Sequence, residues 1–171
     1  MILLLQRAAR ASVSVEGRTV GSCGRGLCVL VCAVKGDTED KARQLAQKLL
    51  RYRVFEDEAG KMNRSVTDIA GELLLVSQFT LAADTSRGNR PSFTPAADPE
   101  TARHLFDVFV EECRASGLKT ETGVFAAHML VEIANDGPVT IWLENNALWA
   151  GFVFIAACVG VLAIWQKHRE E

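Results

Sequence analysis

The sequence has few of the residues that build disulfide frameworks, metal centres or extended nucleic-acid surfaces. Its five cysteines are an odd number and none lies in a Cys-x-x-Cys pair, so we expect the reduced, buried thiols of a cytosolic protein. Its three histidines are isolated from one another and from the cysteines, so we expect no metal site and no cofactor. The formal net charge of −2 lacks the basic excess of proteins that grip long duplexes, so any contact with nucleic acid involves a small end of it.

Targeting and low-complexity features are scarce as well. The N-terminus has no basic n-region, and its apolar stretch Ile2 to Leu5 is too short for a signal peptide. We find no internal repeat and no low-complexity linker. The 171 residues, 49% hydrophobic and 23% charged, suffice for a globular domain with a real core and exclude a disordered or fibrous protein.

The hydrophobic pattern predicts one α/β domain over residues 1–144. Apolar runs and alternating stretches, with a hairpin turn at Glu16-Gly17-Arg18, predict strands over residues 2–5, 11–20, 27–34, 73–81, 119–125, 129–134 and 139–143. Apolar residues at helical spacing predict a helix over roughly 39–52 and a second that starts at Asp98-Pro99 and ends at Gly117. We therefore expect an α/β fold of mixed β-sheets with two main helices packed on them.

Residues 145–171 form a hydrophobic C-terminal extension of a different kind. The stretch 147–165 has no charge and, at about 1.5 Å per residue, is long enough to cross a bilayer core of about 30 Å. Trp149 and Trp165 lie near its ends, where interfacial aromatic residues are common. These features favour a single transmembrane helix, and they do not decide which end faces the cytosol. The alternatives are a buried helix or a hydrophobic flap on the domain.

Two short segments predict a binding site. Ser77-Gln78-Phe79-Thr80-Leu81 puts hydroxyl, amide and aromatic groups at the end of a buried strand, and Asn135 to Thr140 puts a Gly-Pro pair in a turn before the last strand. A buried hydroxyl or amide without a hydrogen bond costs about 1–3 kcal/mol, so such groups need partners. Together with the loop between Asp84 and Phe93, the two segments have the composition of the walls of a site.

These segments resemble the D-aminoacyl-tRNA deacylases, the DTD family. The resemblance covers residues 1 to about 144, whereas the chain from Asn145 onward is not part of the family pattern. It is carried, in order, by Leu5-Gln6-Arg7, Ala11-Ser12-Val13, Val15-Glu16-Gly17, Lys61-Met62-Asn63, Val76 to Asp84, Arg87-Gly88, Arg90-Pro91-Ser92-Phe93, Thr122-Gly123 through Phe125, and Asn135 to Thr140.

The resemblance implies a cytoplasmic, homodimeric proofreading enzyme with active sites shared across its subunits. Family members are tRNA-binding hydrolases that cleave the ester of D-aminoacyl-tRNA, and of glycyl-tRNA(Ala), while rejecting L-aminoacyl-tRNA. The alternative is a non-catalytic, membrane-attached module on the same fold that binds tRNA or another partner. Retention of both motifs favours the enzyme, because a module without catalysis does not need a segment that excludes L-aminoacyl substrates.

The resemblance assigns the catalytic site to Ser77, Gln78, Phe79 and Thr80. A threonine nucleophile needs a base, and the motif contains none. The preferred interpretation is that backbone N–H groups around Phe79 and Thr80 form an oxyanion hole while water attacks with help from the substrate's 2′-hydroxyl. Ser77 and Gln78 then orient the strand end and the substrate, with satisfaction of buried backbone groups as their plainer role.

The resemblance assigns selectivity and tRNA binding to other segments. A cis Gly137-Pro138 pair, inserted into the partner subunit's pocket, holds the amino group with its carbonyl oxygens and excludes an L side chain. Arg7 braces this turn, Phe125 stacks on the terminal adenine, and Arg87 and Arg90 are candidate phosphate contacts. The plainer alternatives are an ordinary proline turn, a core phenylalanine and solvated surface arginines.

Overall fold

The structure, a computed structural model, describes residues 1–145. Within this part of the chain, no helix is both long and apolar enough to cross a membrane. The predicted span 147–165 lies outside the described residues and stays a prediction.

Strand β1 organises the sheet because it is long enough to pair with three neighbours. β1 covers Ile2–Val15; its first half pairs antiparallel with β3, Gly26–Cys32, and its second half pairs antiparallel with β2, Arg18–Cys23. The other edge of β1 pairs antiparallel along its length with β8, Leu130–Glu144. The Glu16-Gly17 turn joins β1 to β2 as predicted, with both residues at positive φ.

The remaining strands extend the sheet in parallel from β3. β6, Glu72–Ser77, lies parallel to β3, and β7, Thr120–Thr122, lies parallel to β6. This completes a six-stranded mixed sheet, while β4, Phe55–Glu56, and β5, Met62–Arg64, form a separate hairpin. The parallel pairing carries the ends of β3 and β6 to the same edge of the sheet.

Two amphipathic helices cover one face of the sheet. Thr38 caps α1, Glu39–Leu50, and Asp98 caps α2, Pro99–Ala115, each by accepting a hydrogen bond from a backbone N–H of the first turn. Their apolar stripes and the facing strand residues form the main core, which includes Leu3, Leu5, Leu27, Val29, Leu45, Leu49, Leu73, Leu75, Phe106 and Phe109. A smaller cluster around Val13, Cys28, Leu74 and Val76 covers the other face, so β3 and β6 are buried on both sides. The predicted mixed α/β fold with two helices is confirmed.

Several predicted strand boundaries are wrong. The strands expected over 2–5 and from residue 11 are one continuous strand, β1, and the strand expected over 119–125 covers only Thr120–Thr122. The strand expected to reach Leu81 ends at Ser77, and Phe79–Ala82 forms a 3₁₀ turn, because β3 ends at Cys32 and leaves no neighbour to pair with. The two strands expected on either side of a Gly-Pro turn are one strand, β8, which keeps pairing with β1 before and after a local bulge.

Candidate active site

A cavity of about 530 Å³ lies between the end of β6 and the start of α2. Ser77, Gln78 and Phe79 line it together with Phe125, so the structure brings three of the four catalytic candidates to the predicted adenine-stacking residue. Thr80 is not among the lining residues. The remaining walls come mainly from alanine, valine and phenylalanine side chains, which suits an uncharged ligand more than an ion.

The hydroxyl of Thr80 is engaged by its own motif. Gln78 Nε2 donates a hydrogen bond to Thr80 Oγ1. No basic or acidic side chain of residues 1–145 is hydrogen-bonded to that hydroxyl, and His104, on the exposed face of α2, is bonded to Glu39 at 2.7 Å. No hydrogen bond of the described residues therefore joins Thr80 to a general base, although His128 lines the cavity.

The 3₁₀ turn that follows β6 begins with backbone N–H groups that the sheet no longer pairs. Gln78 N–H donates to Val31 O at 2.8 Å and ends the β3–β6 ladder. The next two N–H groups, of Phe79 and Thr80, have no acceptor within the described chain, since a helix leaves its first donors unpaired. Phe79 itself is 58% exposed and packs edge-to-face on Phe93, with ring centroids 5.1 Å apart. Two adjacent backbone N–H groups at the end of β6 are thus without an acceptor among the described residues.

Cys32 also lines the cavity, although no feature of its sequence pattern singled it out for the site. Its Sγ lies 3.6 Å from Phe79 O, within the 3₁₀ turn. Burial raises the pKa of the Cys32 thiol to about 11, so the group is neutral at pH 7 and unsuited to act as a thiolate nucleophile. The other three described cysteines, Cys23, Cys28 and Cys113, are free and buried, as expected.

Phe125 lies close to two side chains of α2. Its ring centroid lies 6.3 Å from that of Phe106, and the guanidinium carbon of exposed Arg103 lies 4.7 Å from the centroid. The sequence pattern gave no signal for Arg103, because its proximity to Phe125 depends on how α2 packs against the segment after β7. A guanidinium over an aromatic ring adds a positive charge beside the cavity.

Arg87 and Arg90 lie on the exposed loop that follows the 3₁₀ turn. Two backbone hydrogen bonds between Asp84 and Ser92, of 2.7 and 3.0 Å, close this loop. Neither arginine lines the cavity, whereas Phe93 at the loop's end does. The structure therefore separates these two candidate phosphate contacts from the cavity walls.

Gly137 and Pro138 lie on a bulge of β8. Between the pairs Gln6–Thr140 and Ala8–Asn135, β1 contributes only Arg7 while β8 contributes residues 136–139. The Gly137-Pro138 peptide bond is cis, as the resemblance implied, and both residues are exposed. The bulge does not line the cavity of its own chain.

Arg7 supports the bulge from within the fold. Its side chain is buried, its Nε donates to Asp136 O at 2.9 Å, and its Nη1 donates to Val54 O at 2.8 Å. The carboxylates of Asp136 and Glu56 lie 3.4 and 3.8 Å from the same guanidinium. The contact expected between Arg7 and the Gly-Pro segment is thus present.

Sequence comparison relates the whole described domain to one family. The family model described as D-Tyr-tRNA(Tyr) deacylase matches residues 4–144. A D-aminoacyl-tRNA deacylase from Herminiimonas arsenicoxydans is 61% identical over 144 residues, which are 84% of this chain and 97% of the relative. One from Paracidovorax citrulli is 62% identical over 144 residues, 84% of this chain and 93% of the relative.

Solved structures share the fold. A protein described as c-Myc DNA Unwinding Element Binding Protein has 43% identity and a TM-score of 0.81, covering 86% of this chain and 100% of its own. A probable eukaryotic D-amino acid tRNA deacylase has 17% identity and a TM-score of 0.73, covering 83% of this chain and 97% of its own. The second likeness concerns the fold alone.

Proposed function

The chain belongs to the D-Tyr-tRNA(Tyr) deacylase family, and we propose that it hydrolyses the ester that joins a D-amino acid to the terminal ribose of tRNA. The observation that carries the proposal is the match over residues 4–144, which contain both the cavity and the Gly-Pro bulge. The prediction of an ester hydrolase of the D-aminoacyl-tRNA deacylase type is confirmed by family membership. The non-catalytic binding module is not favoured, because relatives that cover the same residues are named as deacylases.

The chemistry we propose uses backbone donors and the RNA itself. Water attacks the ester carbonyl with help from the 2′-hydroxyl of the terminal ribose, and the N–H groups of Phe79 and Thr80 stabilise the oxyanion by about 3–4 kcal/mol per donor. The bond to the ribose oxygen then breaks, that oxygen takes a proton, and free D-amino acid and tRNA leave. The hydrogen bond between Gln78 and Thr80 supports a positioning role for Thr80. Ser77 lines the cavity next to Gln78.

The selectivity we propose depends on a second copy of the chain. The exposed bulge of one protomer enters the partner's cavity, where the carbonyl oxygens of Gly137 and Pro138 hold the amino group and leave no space for an L side chain. Glycyl-tRNA(Ala) is accepted because glycine has no side chain. A dimer interface is supported by two apolar side chains of β8, Leu130 and Trp142, which are 63% and 47% exposed in the single chain.

Mixed dimers test this shared site. Ala97→Trp places an indole in the cavity, whereas Gly137→Ala alters the bulge, so each homodimer carries one damaged part. A mixed dimer holds one intact cavity facing one intact bulge if the site crosses the interface. We expect subunit exchange to restore D-over-L selectivity above that of Gly137→Ala alone; unrestored selectivity in verified mixed dimers contradicts a shared site.

We propose that Phe125, Arg87 and Arg90 bind the tRNA end. Phe125 offers a ring at the cavity, and stacking on a base contributes about 1–3 kcal/mol. Arg87 and Arg90 lie on an exposed loop that can follow the phosphate backbone. Filter binding of uncharged tRNA at several salt concentrations tests them: the double variant Arg87→Ala/Arg90→Ala is expected to flatten the salt dependence, and an unchanged slope contradicts the assignment. The net charge of −2 gives no argument for duplex DNA binding by this chain.

We propose that residues 1–144 act as the deacylase domain in the cytoplasm and that 145–171 is an appended segment. The charge-free stretch 147–165 supports attachment to a membrane. Flotation of the full chain with lipid vesicles tests the attachment. Recovery in the vesicle fraction at high salt is the expected result, and recovery in the soluble fraction contradicts it.

Hydrolysis is tested by incubating the full chain with D-tyrosyl-tRNA(Tyr) labelled in its amino acid. We expect release of D-tyrosine with a rate constant proportional to protein concentration. Binding of the labelled tRNA without release of amino acid contradicts the enzyme and favours the binding module.

A further inference from the structure

The side chain of Asn135 closes the base of the Gly-Pro bulge. Its Oδ1 accepts a hydrogen bond from Val139 N–H at 2.8 Å, while its Nδ2 lies 3.2 Å from Val139 O and 3.0 Å from Thr140 Oγ1. The same Nδ2 lies 3.1 Å from Gln6 Oε1 on β1. A primary amide has two N–H donors, so these three acceptors share them. One side chain therefore joins the two ends of the bulge to each other and to the neighbouring strand.

We infer that Asn135, held by Gln6, is a positioning residue that fixes the direction of the Gly137 and Pro138 carbonyl groups and thereby sets D-over-L selectivity. The inference rests on the proposed function. It follows from the pairing of the strands: residues 136–139 face only Arg7 on β1, so ladder hydrogen bonds do not set their conformation.

Arg7 and Asn135 hold opposite ends of the bulge. Arg7 binds the carbonyl of Asp136, before Gly137, and Asn135 binds the N–H and carbonyl of Val139, after Pro138. With either contact released, the Gly-Pro pair is anchored on one side alone and its carbonyl groups can rotate. Selectivity by exclusion is sensitive to such rotation, because it depends on where the oxygen atoms point.

A purely architectural role for Asn135 predicts that its loss destabilises the β1–β8 pairing and leaves the D-over-L ratio unchanged. The β1–β8 ladder continues on both sides of the bulge, through Ile2–Glu144 to Gln6–Thr140 and through Ala8–Asn135 to Ser14–Leu130. Asn135 is half-buried rather than part of the core. Changing its side chain therefore leaves the strand paired and alters the bulge alone.

The first variant is Asn135→Asp, which keeps the size and the acceptor but replaces the amide donor with a carboxylate oxygen facing Val139 O. We expect the D-over-L ratio of kcat/KM to fall by about tenfold or more, as expected for loss of hydrogen-bonded positioning, with the melting temperature near that of wild type. The second test is a pair at position 6. Gln6→Glu retains an acceptor for Asn135 and is expected to keep the ratio, whereas Gln6→Leu loses the acceptor and is expected to lower it.

The matched control is Asn63→Asp. Asn63 also donates through Nδ2, to Asp57, but on the exposed β4–β5 hairpin. We expect its D-over-L ratio to equal that of wild type. An unchanged D-over-L ratio in both Asn135→Asp and Gln6→Leu overturns the inference. The proposed function still stands in that case if the wild-type protein hydrolyses the D-ester. Should Asn135→Asp fail to fold, the position-6 pair decides. Wild type that hydrolyses neither ester, or both alike, overturns the proposed function and this inference together.

Discussion

Gly137→Ala is the sharpest single perturbation of the bulge, because the backbone there suits glycine alone. Gly137 has a φ of +132°, a conformation that L side chains rarely adopt. An added Cβ lies 2.8 Å from Val139 Cγ2, 3.0 Å from Val139 N and 3.0 Å from Arg7 Nη2. The side-chain atoms can move, but Val139 N is backbone and is held by Asn135 Oδ1 at 2.8 Å. The bulge must therefore change shape.

The size of the effect follows from these contacts. Holding alanine at such a φ costs about 1–3 kcal/mol, and the close contact with a backbone nitrogen adds to this cost. The bulge can relieve the cost by rotating, since residues 136–139 lack ladder partners other than Arg7. We expect a loss of unfolding free energy of no more than about 2 kcal/mol and a D-over-L ratio that falls by about 10- to 100-fold, given about 1.4 kcal/mol per tenfold.

The assay compares kcat/KM for D- and L-tyrosyl-tRNA(Tyr) and the thermal unfolding of each full-length variant. Gly117→Ala is the control, because Gly117 also has a positive φ, +80°, but has nothing within 4 Å of an added Cβ. It is expected to lose stability and to keep the ratio. A Gly137→Ala variant with wild-type stability and wild-type selectivity would refute the assigned role of the bulge.

Three further variants test other parts of the account. Thr80→Ala is expected to retain activity within about tenfold, whereas loss by about 10⁴-fold or more with intact folding would restore a covalent nucleophile. Cys32→Ala is expected to remain active, and the wild-type thiol is expected to resist iodoacetamide at pH 7.5, since burial raises its pKa to about 11; rapid alkylation with loss of activity contradicts this. The pKa of Glu72 is lowered by the hydrogen bond from Gly24 N–H and by Lys119. The ionised carboxylate therefore adds to the free energy of unfolding above the ordinary carboxylate pKa, and this addition is lost in acid. Denaturant unfolding of Glu72→Gln is expected to show about 1 kcal/mol less stability at pH 7 and a difference that closes as pH falls below about 4, and a gap that persists in acid contradicts it.

Local pattern was enough to predict most of the fold. The apolar residues of α1 at 3.6-residue spacing, Ala42, Leu45, Ala46, Leu49 and Leu50, are the buried ones. The apolar run over residues 27–34 predicted the strand that became β3, and the two clusters of core residues bury it on both faces. These features depend on residues close in sequence, so a single chain was sufficient to find them.

The missed features depend on pairing between distant segments. The end of β6 at Ser77 is set by the end of β3, and the shape of the Gly-Pro segment is set by its register against β1. The contacts of Arg103 with Phe125 and of Asn135 with Gln6 arise only when helix and strands pack together. The sequence resemblance identified the two motifs and implied that they meet across subunits, and in the structure the bulge does not line the cavity of its own chain.

The most direct measurement is hydrolysis by the full chain of D-tyrosyl-, L-tyrosyl- and glycyl-tRNA under one set of conditions. The account predicts that the D- and glycyl-esters are cleaved and that the L-ester decays at its uncatalysed rate. Cleavage of the D- and L-esters at equal rates, or of neither, contradicts it.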